Sequence, residues 1–162
     1  MTGETRRILA VSARSGRLGY VLLEDQELLL WGTSEQAARS AERAAQKLSD
    51  WVEEFVPDVL VTESPGAGCY KQRRQLAILR AFVRVGKSLA IEHRAVRRRH
   101  ARTNLYLDAK AVAERIPELA RLVPKKPPIW VTEPYRLVCF EAVVLVEDSG
   151  LLVAEEGGQA AS

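Results

Sequence analysis

The stretch that most constrains the fold is residues 8–31, where three short apolar runs are separated by turn residues. The runs span residues 8–12, 18–23 and 28–31. Short apolar runs bounded by turn residues are typical of consecutive antiparallel strands. Because the runs are nearly continuous in apolar residues, we expect helices to cover both faces of this sheet.

The downstream sequence supplies helices and two further strands. Thr33, with Gln36 at capping-box spacing, is the expected N-cap of a first helix that ends before Pro57. Residues 59–62 read as a buried strand, parallel to the first, that leads into Glu63. The remaining predicted elements are a helix over 71–85 that stops at Gly86, a strand over 89–92, a basic helix over 95–102, a helix over 107–122, and a largely buried last helix that starts at Thr132 or Glu133.

Length and composition indicate an ordinary globular protein. The 162 residues suit one domain, expected over residues 1–150 with a mobile tail over 151–162. No apolar run reaches the roughly 18 residues of a membrane span, and the N-terminus lacks the pattern of a signal peptide. Two cysteines give neither a disulfide framework nor a zinc pattern. We therefore expect a cytoplasmic protein with no membrane partner.

Charge is distributed very unevenly along the chain. The block from Lys71 to Arg102 holds eleven Lys or Arg residues and one acid, Glu92, whereas the net charge of the whole chain is +3. A block this one-sided favours a polyanionic partner, most often nucleic acid. The alternative is a solvated, arginine-rich helix surface.

Two motifs resemble RuvC-type Holliday-junction resolvases, a family with the ribonuclease H-like fold. Residues 8–13 (ILAVSA), leading through Gly16 to Gly19-Tyr20-Val21, are similar to the family's opening, where the first strand ends in a catalytic Asp. Val61-Thr62-Glu63 resembles the fourth strand, which ends in the catalytic Glu. The resemblance covers about residues 7–146. It implies an α/β fold with a five-stranded mixed sheet and helices on both faces, DNA as the partner, and a homodimer formed through the helix from Lys71 or a neighbouring element.

The sequence departs from this family at its acidic positions. Ser12 stands where the family has its first Asp, and Glu133 and Arg136 stand where it has an acid pair in the last helix. Two metals about 4 Å apart need several carboxylates, which a neutral hydroxyl and a cation do not supply. The tentative catalytic and metal-binding residues are therefore Glu63 and Glu133, and nuclease activity is expected to be lost or weakened. No cofactor is required unless the chain is catalytic, in which case it would be Mg or Mn.

Two acids admit structural interpretations. Glu141 lies eight residues after Glu133, on nearly the same helix face but about 12 Å further along the axis. A different register of this helix would let Glu141 approach the acidic site, but we favour a partly buried acid paired with an arginine. For Glu63, a strand-end acid that caps a neighbouring loop remains open beside the functional interpretation.

The basic block supplies the candidate nucleic-acid contacts. Phosphate contacts should be strongly salt-dependent, and an aromatic ring in the loop after Glu63 could stack on a base or instead pack in the core. Two other function classes stay open: an active Mg-dependent endonuclease, and a protein–protein module on a degenerate nuclease fold. The candidates for binding nucleic acid are Tyr70, Lys71, Arg73, Arg74, Arg97, Arg98, Arg99 and Arg102.

Overall fold

The structure is a computed structural model that describes residues 6–14, 16–25, 27–66, 69, 71–98, 111, 114 and 137–151. These residues contain a five-stranded sheet in the order β3-β2-β1-β4-β5. Strands β1 to β3 are antiparallel neighbours, whereas β4 is parallel to β1 and β5 to β4. This mixed α/β sheet confirms the predicted fold class. The strands are β1 (Arg7–Arg14), β2 (Arg17–Glu24), β3 (Glu27–Ser34), β4 (Val59–Glu63) and β5 (Glu92–Val96), and the helices are α1 (Ala41–Phe55), α2 (Arg73–Ser88) and α3 (Leu137–Ser149).

Helices cover both faces of the sheet, as the apolar runs predicted. Side chains alternate along each strand, so Ile8 and Ala10 of β1 pack with α3 on one face. Leu9 and Val11 pack with α1 and α2 on the other face. The same alternation in β4 places Val61 on the α3 face. Ser12 of β1 and Glu63 of β4 lie two positions further along their strands, so their side chains also point towards α3.

The first helix begins later than the capping-box spacing predicted. Thr33 is not an N-cap, because β3 continues to Ser34 through pairing with β2. A 3₁₀ turn over Gln36–Arg39 follows, and α1 starts after Ser40, whose hydroxyl accepts a hydrogen bond of 3.0 Å from the Arg43 backbone N–H. The Thr33 prediction is wrong because strand pairing outcompetes a local capping pattern.

Two boundaries around α2 and β5 also differ from the predictions. Gly86 lies inside α2 rather than at its end, and a Cβ there would lie 2.4 Å from Nδ1 of His93. The glycine therefore permits close packing of α2 on β5. Ala95 and Val96 are strand residues paired with β4, so the helix predicted from residue 95 is wrong at its start, and β5 replaces the strand predicted over 89–92.

Helix α3 is buried along almost its whole length, as predicted for the last helix. Every residue from position 137 to 146 is buried. It lies close to the sheet over Gly19, where a Cβ would be 2.5 Å from Cγ1 of Val138. The head of this predicted helix and the helix predicted over 107–122 fall outside the described residues, apart from Ala111 and Glu114, which are helical. No helix in the described part of the chain is long and apolar enough to cross a membrane.

Candidate functional site

Ser12 and Glu63 lie side by side near the carboxyl ends of the neighbouring strands β1 and β4. Their strands are parallel neighbours, with Ala10 of β1 opposite Val61 of β4, so the residues two positions further along face α3 together. Both side chains are buried. The sheet thus brings together Ser12 and Glu63, the two candidate positions from the sequence, near the carboxyl ends of two parallel strands.

Glu141 of α3 completes this group of three, against expectation. The Ser12 hydroxyl donates a short hydrogen bond to Oε1 of Glu141, which has no exposed surface. The prediction that Glu141 would be only partly buried is wrong, although its predicted pairing with an arginine is confirmed. Close packing of Val138 over Gly19 lowers α3 onto the sheet and carries Glu141 to Ser12. We call Ser12, Glu63 and Glu141 the carboxylate site.

An ammonium group lies between the two carboxylates of this site. Nζ of Lys71 is 2.5 Å from Oε1 of Glu141 and 3.4 Å from Oε1 of Glu63. It also donates a hydrogen bond of 2.6 Å to the backbone carbonyl of Ala13. The lysine precedes α2, and its side chain is only 9% exposed. Lys71 was predicted to contact nucleic acid, but its charged group is bound inside the protein.

Two arginines add further positive charge around Glu141. Nη1 of Arg98 is 3.0 Å from Oε2 of Glu141, and Nη1 of Arg14 is 3.7 Å from the same oxygen. Arg98 is buried, so this predicted nucleic-acid contact also has a partner within the protein. Three cations therefore surround two carboxylates. We call Glu63, Glu141, Lys71, Arg98 and Arg14 the ion-pair cluster.

The two carboxyl groups respond differently to this environment. Burial opposes ionisation of Glu141, but the charge and hydrogen bond of Lys71, together with Ser12 and Arg14, hold its pKa below the usual value. Burial raises the pKa of Glu63; the Lys71 ammonium opposes this rise, and the Glu141 charge adds to it. Oε1 of Glu63 has no hydrogen-bond partner among the described residues. Glu141 is therefore held as the anion, whereas ionisation of Glu63 is disfavoured.

The described residues of the site do not fit the divalent metals that the resemblance implies for an active nuclease. A metal pair needs several carboxylate oxygens directed at an open position, but Lys71 occupies the space between Glu63 and Glu141. Ser12 contributes a neutral hydroxyl that is already committed to Glu141. In the described part of the chain, no group of three or more His, Cys, Asp or Glu side chains could hold a metal ion.

The other basic candidates that the structure describes are exposed on the surface. Arg73, Arg74 and Arg97 are exposed, as are Arg80 and Arg84 of the same basic block. The first turn of α2 contains no acid that would offset its arginines. Four candidates lie outside the described residues: Tyr70, Arg99, Arg102 and Glu133.

Arg14 was not identified as a member of the site from the sequence, and Glu141 was only the less favoured alternative. Arg14 reads there as a turn residue. Glu141 carries a usable signal, because it is the sole charged residue in the apolar run 137–146 and a buried charge needs a partner. That signal predicts a cation nearby but does not identify which one.

Several solved structures are similar to this chain. No protein-family model matches the sequence, and no curated protein matches it. The chain is similar to Thermus thermophilus RuvC, with a TM-score of 0.57 and 15% identity over 93% of this chain and 96% of that chain.

Two further solved structures give the same result. For T. thermophilus RuvC in complex with Holliday junction substrate, the TM-score is 0.53 with 15% identity, covering 90% of this chain and 93% of that one. For the yeast mitochondrial Holliday junction resolvase, the TM-score is 0.52 with 12% identity, covering 91% of this chain and 78% of that one. The chain therefore has the RuvC-like, ribonuclease H-like fold.

Proposed function

We propose that this RuvC-like chain binds duplex or branched DNA and has lost, or nearly lost, the metal-dependent cleavage of its fold. The observation that carries the proposal is the Lys71 ammonium, placed 2.5 Å from Glu141 and 3.4 Å from Glu63. A nuclease of this type would use these carboxylates to hold metal ions. Here the side-chain ammonium of Lys71 compensates the negative charge of these carboxylates.

The charge balance of the ion-pair cluster argues against metal binding. With both carboxylates ionised, the cluster's three cations leave one positive charge in excess. A divalent ion would have to displace Lys71 and approach two arginines in a buried setting, where like charges repel strongly. Of the two catalytic candidates, Glu63 is the one within the described residues. Without a bound metal, its role is to pair with Lys71.

DNA binding is supported by the exposed cations of α2 and the segment after β5. Arg73, Arg80 and Arg84 project from α2, and Arg97 follows β5. We call these four the basic surface. Guanidinium groups bind phosphate through charge-assisted hydrogen bonds, and neutralised phosphates release condensed counterions. One of the similar structures is a complex with Holliday junction substrate, which favours branched DNA as a ligand to test.

We also propose that the chain acts as a homodimer, as the resemblance implies. Because α2 carries the basic surface, we expect an element beside α2, rather than α2 itself, to form the contact between the two copies. Two copies facing each other through α2 would bring their uncompensated arginines together. Sedimentation equilibrium of the free protein tests this point, and a monomer at micromolar concentration would contradict it.

The decisive experiment measures binding and cleavage together. A four-way junction, a matched duplex and single strands are titrated across a salt series, with and without Mn²⁺, and the products are analysed on a denaturing gel. We expect binding to the junction or the duplex that weakens steeply with salt, and no cleavage. Replacing Arg73 and Arg97 by Ala should weaken binding and reduce the salt slope by about 0.9 for each phosphate that the variant no longer neutralises.

Arg43→Ala is the matched control, because Arg43 is exposed on α1 outside the basic surface. It should leave both affinity and salt slope unchanged. Discrete Mn²⁺-dependent nicks that disappear in Glu63→Gln would overturn the loss of cleavage. No binding at low salt would overturn DNA binding and favour a protein partner for the basic surface.

A further inference from the structure

A pocket of about 220 Å³ opens between the β1–β2 turn and the start of α2. Three guanidinium-bearing residues line it: Arg14 at the end of β1, Arg17 at the start of β2, and Arg74 in the first turn of α2. Gln72 and Gln75 add amide groups. We call these five residues the arginine pocket. No acidic residue lines it among those that the structure describes.

The arginine pocket is separate from the carboxylate site. Its floor contains Ala13 and Ile78, which belong to the core between the sheet and the α1–α2 layer. Ser12 and Glu141 lie on the opposite, α3 face of the sheet. Arg14 is the residue common to both, because it lines the pocket and lies 3.7 Å from Glu141. Because the guanidinium of Arg14 pairs with Glu141, the phosphate donors of the pocket are Arg17 and Arg74.

Positive charge in the pocket is only partly compensated. Arg17 pairs with Glu35 at 3.1 Å, but Glu35 is 67% exposed, where an ion pair is weak. Arg74 is exposed and forms no ion pair with the residues that the structure describes. Gln72, the N-cap of α2, makes no side-chain capping bond, and the first turn has no acid. The helix dipole therefore adds to the positive potential of the arginines.

We propose that the arginine pocket binds one phosphate group. Arginine matches phosphate geometry because its planar fork presents paired N–H donors, and Arg17 of β2 and Arg74 of α2 both line this pocket. The volume is below the 300 to 1,000 Å³ that is typical of pockets for drug-sized ligands, so the fit is to a phosphate with a small part of its nucleotide. The identification of that phosphate as one belonging to DNA rests on the proposed function.

The first test uses inorganic phosphate and does not involve DNA. The full chain, labelled with ¹⁵N, is titrated with phosphate at constant ionic strength while the arginine Nε–Hε resonances are recorded. Saturable shifts at Arg17 and Arg74 are expected in the wild type and in Arg43→Ala, and the shift at Arg17 should be abolished in Arg74→Ala. Absence of saturation, or shifts that persist in Arg74→Ala, would overturn the pocket. An unchanged spectrum elsewhere verifies that the variant is folded.

The second test identifies the source of the phosphate. Duplexes with and without 5′-terminal phosphates are compared for the wild type, Arg74→Ala and Arg43→Ala. Removing a charge-assisted hydrogen bond should weaken binding by about tenfold or more. A weakening confined to the phosphorylated duplex assigns a terminal phosphate, and an equal weakening for both assigns an internal one. Unchanged affinity for both overturns a DNA phosphate as the ligand.

The two tests separate the two proposals. If the wild type binds inorganic phosphate in the pocket but binds no form of DNA, the proposed function fails and the phosphate site stands. If the wild type binds DNA but shows no phosphate saturation, the pocket proposal fails and DNA binding through the basic surface stands.

Discussion

Nζ of Lys71 lies 2.5 Å from Oε1 of Glu141, in a part of the core where neither group can be hydrated fully. The two residues are 70 positions apart in the sequence. A buried pair of this kind is costly to break, because removal of one partner leaves the other charge without compensation. The pair therefore ties the start of α2 to the middle of α3 and keeps a cation where a metal would otherwise bind.

Lys71→Met should destabilise the protein by about 3 kcal/mol, a typical cost of breaking a buried pair. The destabilisation arises because Glu141 keeps Ser12 and Arg98 but is deprived of its closest cation. The free energy of unfolding in urea measures it. Lys87→Met, at an exposed lysine of α2, should change stability by less than about 0.5 kcal/mol.

A double-mutant cycle checks the cause. Lys71→Met and Glu141→Gln each break the same interaction between the two groups, so the double variant should lose less stability than the sum of the two single variants. Strictly additive effects would mean that the two groups do not interact, in contradiction to the structure.

Glu63→Gln should stabilise the protein, and increasingly so as the pH rises. Because the folded pKa of Glu63 is raised above its ordinary value of 4.5, the native state binds more protons than the unfolded state between that value and the raised pKa. Stability therefore falls as the pH rises through this window, and the substitution removes that fall. Urea denaturation at about pH 4 and about pH 8 measures the difference from wild type.

Glu141→Gln provides the comparison of opposite sign. The folded pKa of Glu141 is lowered, so its ionised form stabilises the protein above the ordinary value of 4.5, and this contribution is lost as the pH falls through the folded pKa. The substitution should therefore cost stability at neutral pH and less in acid. The same pH dependence for both variants would contradict the different environments of the two acids.

Ser12→Asp combined with Lys71→Met should create a site for a divalent metal. The first change places a third carboxylate beside Glu63 and Glu141, and the second removes the competing ammonium. Mn²⁺ at about 100 times its dissociation constant would then add about 2.7 kcal/mol of stability, seen as a rise in Tm. Lys71→Met alone is the control and should respond much less. An equal rise in the wild type would show that Lys71 does not exclude metal.

Gly19→Ala should destabilise the contact between α3 and the sheet by about 2 kcal/mol, within the range for overpacked cores. Its Cβ would lie 2.5 Å from Cγ1 and 3.1 Å from the backbone carbon of Val138. Urea denaturation measures the effect, and Val138→Ala in the same chain should reverse part of it. Gly66→Ala is the control, because among the described residues its Cβ would meet only the Ser64 hydroxyl, at 3.4 Å.

The parts of the fold that could be predicted from the sequence are those with a local signal. The three strands within residues 8–31 follow from apolar runs and turn residues, and their lack of alternation predicted a sheet covered on both faces. Thr33 was misassigned because pairing of Leu18 with Ser34 extends β3, and that pairing depends on the register of a neighbouring strand. Gly86 was misassigned because its close neighbour, His93, belongs to another element.

The candidate site was predictable only in part for the same reason. Ser12 and Glu63 end apolar strand runs, so their positions could be inferred from the pattern. The contact between Ser12 and Glu141 spans 129 positions, and it depends on the depth at which α3 packs over Gly19. Lys71 points inwards, whereas Arg73 and Arg74 are exposed. This difference depends on the path of the chain into α2, which the charge pattern of the sequence does not reveal.

The order of the ion-pair cluster along the chain has a consequence for synthesis. Arg14, Lys71 and Arg98 are all made before α3, and among the cluster's acids only Glu63 accompanies them. A growing chain that lacks α3 therefore carries the three cations of the cluster but only one of its two carboxylates. Glu141 arrives last and acts as their counterion. The final helix thus closes the apolar core and neutralises the charge that the earlier segments have accumulated.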